Sequence, residues 1–299
     1  MKKSYSLMIV LAGILWGFDG LLRRYLGGIP SSTIVTLEHM IRVLILLPLL
    51  PRFTKEYKKL NKKDWWILGI IALFSGALGS IFYTAALARV DNISYSVVVL
   101  LQQVQPIFTV ILAALVLKEK ITKRYSLFAL VALISAYFLT FPQFKPNILW
   151  HNGELIAAML ALGAAILWGS TTIFSKLILK KLSFAAAVTM RFILVIPISF
   201  VISLLLKQTY PLHLITSTQW LYLLILSVVT GVFGYLAYYM GLRYTEVKIA
   251  TFSEFAWPVS AALIGYFIIG ERLTSVQLIA AAVLIADILV MTLISNEKA

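Results

Sequence analysis

The sequence predicts an all-α integral membrane protein. Ten transmembrane helices form two inverted five-helix repeats, with the N- and C-termini both cytoplasmic. Three observations support this. First, the 299 residues are 61% hydrophobic and 13% charged, with mean hydropathy +0.94, whereas a soluble domain carries roughly 25% charged residues. Second, ten apolar runs reach the length of about 20 residues that a crossing needs. They cover 5–26, 33–51, 65–88, 94–117, 124–142, 153–178, 184–206, 218–242, 248–269 and 275–295. Third, motifs of the first five runs return in the last five.

The first run, MKKSYSLMIVLAGILWG, imitates a secretory leader. Nine similar runs follow it, so it reads as a retained helix. Runs three and four are parted only by ARVDNIS, and eight and nine by RYTEVKI. Trp65, Trp66, Trp150 and Trp220 near run ends read as interface anchors. Of the 26 Lys and Arg, 18 fall on the side of the N-terminus and 6 on the other, with Arg42 and Arg191 inside runs. Positive charge stays in the cytoplasm, which places both termini there, in a multi-pass protein of the inner (cytoplasmic) membrane. The net charge of +14 therefore reflects membrane orientation, and no nucleic-acid partner is expected.

The repeat is direct to read. AGILWG at 12–17 matches AAILWG at 164–169, and GALGSIFYTAAL at 76–87 matches GVFGYLAYYMGL at 231–242. Pro106 followed by KEKIT at 118–122 matches Pro258 followed by GERLT at 270–274. Five helices per half is an odd number, so the second half enters the membrane inverted. The expected units are 1–142 and 153–299, joined by an outer-side linker at 143–152. Carriers with inverted repeats commonly bind solute near midplane, between the repeats.

These paired motifs, spread over nearly the whole chain, resemble the drug/metabolite transporter superfamily, and within it the ten-helix EamA-type transporters. The resemblance implies a secondary active transporter working by alternating access. It implies a small polar or amphipathic metabolite as substrate (an amino acid, amine or similar), moved by export or exchange. It is specific for fold and not for substrate. The Leu37-Glu38-His39 triplet departs from the general pattern and marks a subgroup.

The candidate substrate-binding residues follow from polar and aromatic groups at membrane depth. Pro106 and Pro258 each remove a helical hydrogen bond and free the carbonyl four residues earlier, on Gln102 and Glu254. Irregular backbone at that depth belongs against protein or a water-filled cavity. Gln102, Glu254 and Trp257 are therefore expected to meet solute. Tyr83 and Tyr238 are repeat counterparts, as are Trp16 and Trp168, and both pairs join the expected site.

Ionisable groups inside apolar runs are functional candidates by default. Glu38, His39 and Arg42 stand at spacings of three and four, on one helix face. Arg42 is expected to bind substrate, while Glu38, His39 and Asp19 are candidates for proton coupling. A plainer reading makes Glu38–Arg42 an internal ion pair, and Asp19 a partner of Arg23. Glu38 lies near the outer end of its run, where a watery vestibule is expected. Arg191 echoes Arg42 but lacks an acid one turn before it, so Asp19, Glu154, Glu254, Asp287 or helix-end carbonyls are the expected partners.

The chain has no cysteine, and no GxxxxGK[ST], HExxH or GxSxG motif. Neither an enzyme nor a cofactor or metal is expected; the partners are a small-molecule substrate, the lipid bilayer and, for coupling, protons. The competing reading is a membrane-embedded lipid-handling protein or enzyme using Glu38, His39 and Arg42.

Overall fold

The computed structural model describes residues 5–89, 98, 101–140, 152–270 and 273–297. Most of the expected start of the fourth run, nearly all of the linker, Trp150, Glu271 and Arg272 lie outside the described residues, as does the side chain of Glu154. Every regular element among the described residues is helical.

The first half holds α1 (Ser6–Trp16), α2 (Asp19–Arg24), α3 (Ser31–Leu46), α4 (Leu50–Tyr57), α5 (Lys62–Ile70), α6 (Ser80–Leu87), α7 (Gln105–Val116) and α8 (Lys123–Thr140). The second holds α9 (Asn152–Ile178), α10 (Phe184–Leu205), α11 (Ser217–Ile225), α12 (Gly234–Tyr244), α13 (Val247–Ser253), α14 (Ala256–Ile264) and α15 (Ser275–Glu297). Seven helical stretches among the described residues are long and apolar enough to cross a membrane. They are Ser6–Arg24, Ser31–Tyr57, Lys62–Leu87, Leu155–Ile178, Phe184–Leu205, Ser217–Tyr244 and Val247–Ile268.

The outer surface is apolar where a soluble protein would be polar. Trp66 is 75% exposed, Leu205 76% and Phe267 77%, and Trp65 and Trp220 are also exposed. Only lipid satisfies such a belt. The interior is the reverse, burying Arg23, Glu38, His39, Arg42 and Arg191.

The halves exchange their first helices. α1 packs against α12, α13 and α14 of the second half, while α9 packs against α6 and α7 of the first. In lipid, close fit at small residues holds helices together better than apolar burial does. Gly17 lies so close to Ser260, and Gly169 to the Gln105 carbonyl and Thr109, that a β-carbon at either would collide. Between α3 and α10 the Thr36 hydroxyl donates to Ser199 Oγ at 2.9 Å. This exchange leaves a space where the halves meet.

Candidate functional site

Two helices change winding at the same place in each repeat. α5 runs into a π-helix at Ile71–Gly79 before α6, and α11 into another at Leu226–Phe233 before α12. The wider turn rearranges the carbonyl ladder, and such turns gather at functional sites. Here each one receives a tryptophan from the opposite half. Trp16 Nε1 donates to the Thr230 carbonyl at 3.1 Å, and Trp168 Nε1 to the Ser75 carbonyl at 3.0 Å. The same indoles stack obliquely on tyrosines of those opposite halves. The Trp16–Tyr238 ring centroids are 5.1 Å apart and the Tyr83–Trp168 centroids 5.2 Å.

Between these pairs lies a cavity of about 1020 Å³, counting its open mouth. Trp16, Asp19, Glu38, Arg42, Tyr83, Gln102, Trp168, Tyr238, Glu254 and Trp257 all line it. His39 does not appear in its wall. The wall adds a set of hydroxyls, among them Ser75, Thr171, Thr172 and Thr230.

One side of the wall is an ionic network. Arg23 Nε meets Asp19 Oδ1 at 2.5 Å and Arg23 Nη2 meets Glu38 Oε2 at 2.9 Å. Arg23 Nη1 donates to Thr84 Oγ1 at 2.8 Å. Arg42 Nη2 reaches the same Glu38 oxygen at 3.2 Å. Asp19 also accepts from Thr230 Oγ1 at 3.1 Å, tying the network to the second half. The intrahelical pair thus extends to another helix. Glu38 is fully buried.

Arg23, counted among the outer-side charges, is a buried hub, and its ion pair with Asp19 is the one the plainer reading expects. The signal that finds it is Asp19 one turn earlier, which gives it a partner on its own helix.

His39 supports the network from behind. Its Nδ1 lies 2.8 Å from the Val35 carbonyl and its Nε2 3.2 Å from Arg42 Nη1. A carbonyl only accepts and a guanidinium only donates. The ring is therefore neutral, protonated on Nδ1, with Nε2 accepting from Arg42. Phe192 packs edge-on against it, with ring centroids 5.4 Å apart.

Arg191 has none of the carboxylate partners expected for it among the described residues. Its Nη2 donates to Ser75 Oγ at 2.7 Å and to the Tyr235 hydroxyl at 3.0 Å. Its guanidinium carbon sits 4.0 Å from the centre of the Tyr235 ring. A ring face and two hydroxyls replace the counter-ion. Tyr235 has Ser80 as its repeat counterpart, so no echo in the sequence announces it.

Glu254 sits in the break between α13 and α14. Its Oε2 accepts from Gln105 Nε2 at 3.0 Å and its Oε1 from the Tyr238 hydroxyl at 2.9 Å. No ion pair to Glu254 occurs among the described residues. The main-chain carbonyl of Glu254 is not free, because the Trp257 amide takes it at 2.9 Å. The chain tightens to a three-residue turn before Pro258 and satisfies the acceptor that the proline releases. Gln102 is buried, and its Nε2 donates to the Ala161 carbonyl at 2.6 Å. Asp287 is buried in α15, away from the cavity wall.

The lining holds three carboxylates, Asp19, Glu38 and Glu254, and three guanidiniums, Arg23, Arg42 and Arg191. The wall thus carries as many acidic as basic side chains. The same wall carries the two Trp–Tyr pairs and the hydroxyls.

Comparison with known proteins agrees with this architecture. The EamA-like transporter family model matches residues 3–141 and again 155–293. The riboflavin transporter ImpX of Fusobacterium nucleatum subsp. nucleatum is 35% identical over 286 residues, covering 95% of this chain and 96% of that one. A riboflavin transporter of Vibrio cholerae is 23% identical, covering 67% of this chain and 64% of its own length. A crystal structure of another protein aligns over 100% of this chain and 99% of its own, with TM-score 0.79 at 18% identity, a likeness of fold alone. The chain belongs to the EamA-like transporter family and is a membrane transporter of small molecules rather than an enzyme.

Proposed function

We propose that this protein is a secondary carrier of riboflavin, or of a neutral metabolite with the same combination of a flat heteroaromatic ring and a hydroxylated tail. The observation that carries the reading is the pair of Trp–Tyr contacts, each joining opposite halves across one cavity. Aromatic faces receive a planar ring in offset or tilted stacking. Ser75, Thr171, Thr172 and Thr230 offer hydroxyls to a polyol. The names of two relatives point to the same solute.

In this reading ten helices, two inverted halves and cytoplasmic termini in the inner membrane make a carrier that opens alternately to each side. Export and exchange, expected from the family resemblance, use the same cavity as uptake, since a symmetric carrier runs along its gradient. The proton step, if the carrier is coupled, is assigned to the acids facing the cavity: Asp19, Glu38 and Glu254. His39 orients Arg42 from behind.

The test is counterflow in proteoliposomes preloaded with unlabelled riboflavin. External labelled riboflavin accumulates transiently against its gradient if the proposal holds. Accumulation of an amino acid, amine or organic acid, with none of riboflavin, sinks it.

A further inference from the structure

Two buried polar atoms without a hydrogen-bond partner sit on consecutive residues of the cavity wall: Gln102 Oε1 and Gln103 Nε2. Gln102 is 3% exposed and Gln103 5% exposed. Buried polar groups in native proteins are nearly always paired, so an orphaned acceptor beside an orphaned donor calls for a reason. Two other such atoms in the same wall have local explanations: Arg42 Nε is pressed against Gly231, and the Arg191 guanidinium lies over the Tyr235 ring. The two glutamines have none.

The orientation of Gln102 is fixed. Its Nε2 donates to the Ala161 carbonyl, so the atom left over is an oxygen, an acceptor. The backbone places both side chains here because the helix is broken at residues 103 and 104, ahead of Pro106. An unbroken helix would turn consecutive residues about 100° apart. Ala161 lies two turns before Trp168 on α9, roughly 10 Å along the axis at 1.5 Å per residue, and both belong to the cluster around Tyr83. Both glutamines thus line the same cavity as the Tyr83–Trp168 pair, about two helical turns along α9 from Trp168.

We infer that Gln102 and Gln103 read an imide edge on the solute, an N–H flanked by a carbonyl in the plane of a heteroaromatic ring. The N–H donates to Gln102 Oε1, and the carbonyl accepts from Gln103 Nε2. This rests on the reading of the protein as a riboflavin-class carrier and makes it more specific, because the pyrimidinedione end of the flavin ring presents that edge. A site built to bond an N–H rejects the analogue lacking it, since its own acceptor is then left buried and unpaired.

The test compares riboflavin with riboflavin methylated at the imide nitrogen, by titration of purified full-length protein and quenching of flavin fluorescence. Wild type is expected to bind riboflavin at least about tenfold more tightly than the methylated compound. Gln102→Met is expected to bring that ratio to near one, mainly by weakening riboflavin, and Gln103→Met to weaken both flavins. Elution profile and unfolding midpoint check that each variant is folded. Should Gln102→Met not fold, the wild-type ratio and Gln103→Met decide. Equal affinity of wild type for the two flavins overturns the inference and leaves the carrier reading standing, as does an unchanged ratio in folded Gln102→Met. Binding of neither flavin overturns both.

Discussion

Trp16 and Thr230 stand 214 residues apart in sequence and are joined by one hydrogen bond of 3.1 Å, from the indole to a π-helical carbonyl. Trp168 and Ser75 make the counterpart bond at 3.0 Å. Each half thus fixes its aromatic wall on the other half.

The glycines beside these bonds test how tightly the indoles are held. A β-carbon on Gly234 would stand 2.8 Å from Trp16 Nε1, and one on Gly79 2.6 Å from Trp168 Nε1. Gly79→Ala and Gly234→Ala each overpack the contact and are expected to cost about 1–3 kcal/mol and to lower transport. Gly69→Ala, in α5 where a β-carbon meets nothing within 4 Å, is expected to be neutral or to stabilise by up to about 1 kcal/mol. Unfolding midpoints in detergent, with flux on the same preparations, check all three.

The ionic network supplies a second prediction. Glu38 neutralises parts of two guanidiniums in a fully buried setting. Glu38→Ala leaves them uncompensated, and breaking a buried ion pair from one side costs about 3–5 kcal/mol. Arg23→Ala should be destabilising in the same range. The double variant Arg23→Ala/Glu38→Ala is expected to lose less than the two single losses added together, as measured by thermal unfolding. Additive losses would show that the residues do not act as a unit.

The side rich in Lys and Arg carries polar ties across the two halves. Glu119 accepts from the main-chain N–H groups of Val247 at 2.8 Å and Lys248 at 3.0 Å, at the start of α13. Glu56 takes the Ser183 hydroxyl at 2.9 Å, and Lys181 grips Asp64 at 2.8 Å. Glu119→Ala removes a carboxylate from a helix N-terminus, where negative charge is stabilising. It should shift the carrier toward opening on that side. Because the chain has no cysteine, a single Thr172→Cys reports directly. Labelling of Cys at that position by an impermeant maleimide added on the Lys- and Arg-rich side is expected to rise in the Glu119→Ala background. Unchanged labelling would remove Glu119 from gating.

Glu254 is held by two neutral donors and by no cation among the described residues. If it carries the coupling proton, Glu254→Gln abolishes riboflavin flux driven by a pH gradient and spares riboflavin–riboflavin exchange. Equal loss of both activities would make it a plain binding or packing group. Loss of gradient-driven flux in Glu38→Gln or Asp19→Asn, with Glu254→Gln unaffected, would move the proton step to the ionic network.

Much of this was legible in the sequence because the chain is written twice. The repeat offsets pair Trp16 with Trp168 and Tyr83 with Tyr238, and all four meet at one cavity. The prolines mark the places where Gln102 and Glu254 face it. What single-residue reasoning misses depends on neighbours from other helices. Arg23 looks like a loop cation until Glu38 and Thr84 close around it. Arg191 looks in need of an acid until Tyr235 offers its ring. The π-helical turns have no residue signature of their own; their widened winding is read only where Trp16 and Trp168 dock on them.

The central claim is that a flat solute lies against the two Trp–Tyr pairs. Its most direct measurement is equilibrium titration of riboflavin with purified protein, followed by flavin fluorescence in wild type, Trp16→Leu and Trp168→Leu. The account predicts saturable quenching at one flavin per chain in wild type, with affinity at least about tenfold weaker in either folded variant, since an aromatic contact with its buried area is worth on the order of 1–3 kcal/mol. Absence of saturable quenching in wild type, or equal affinity in all three proteins, would contradict it.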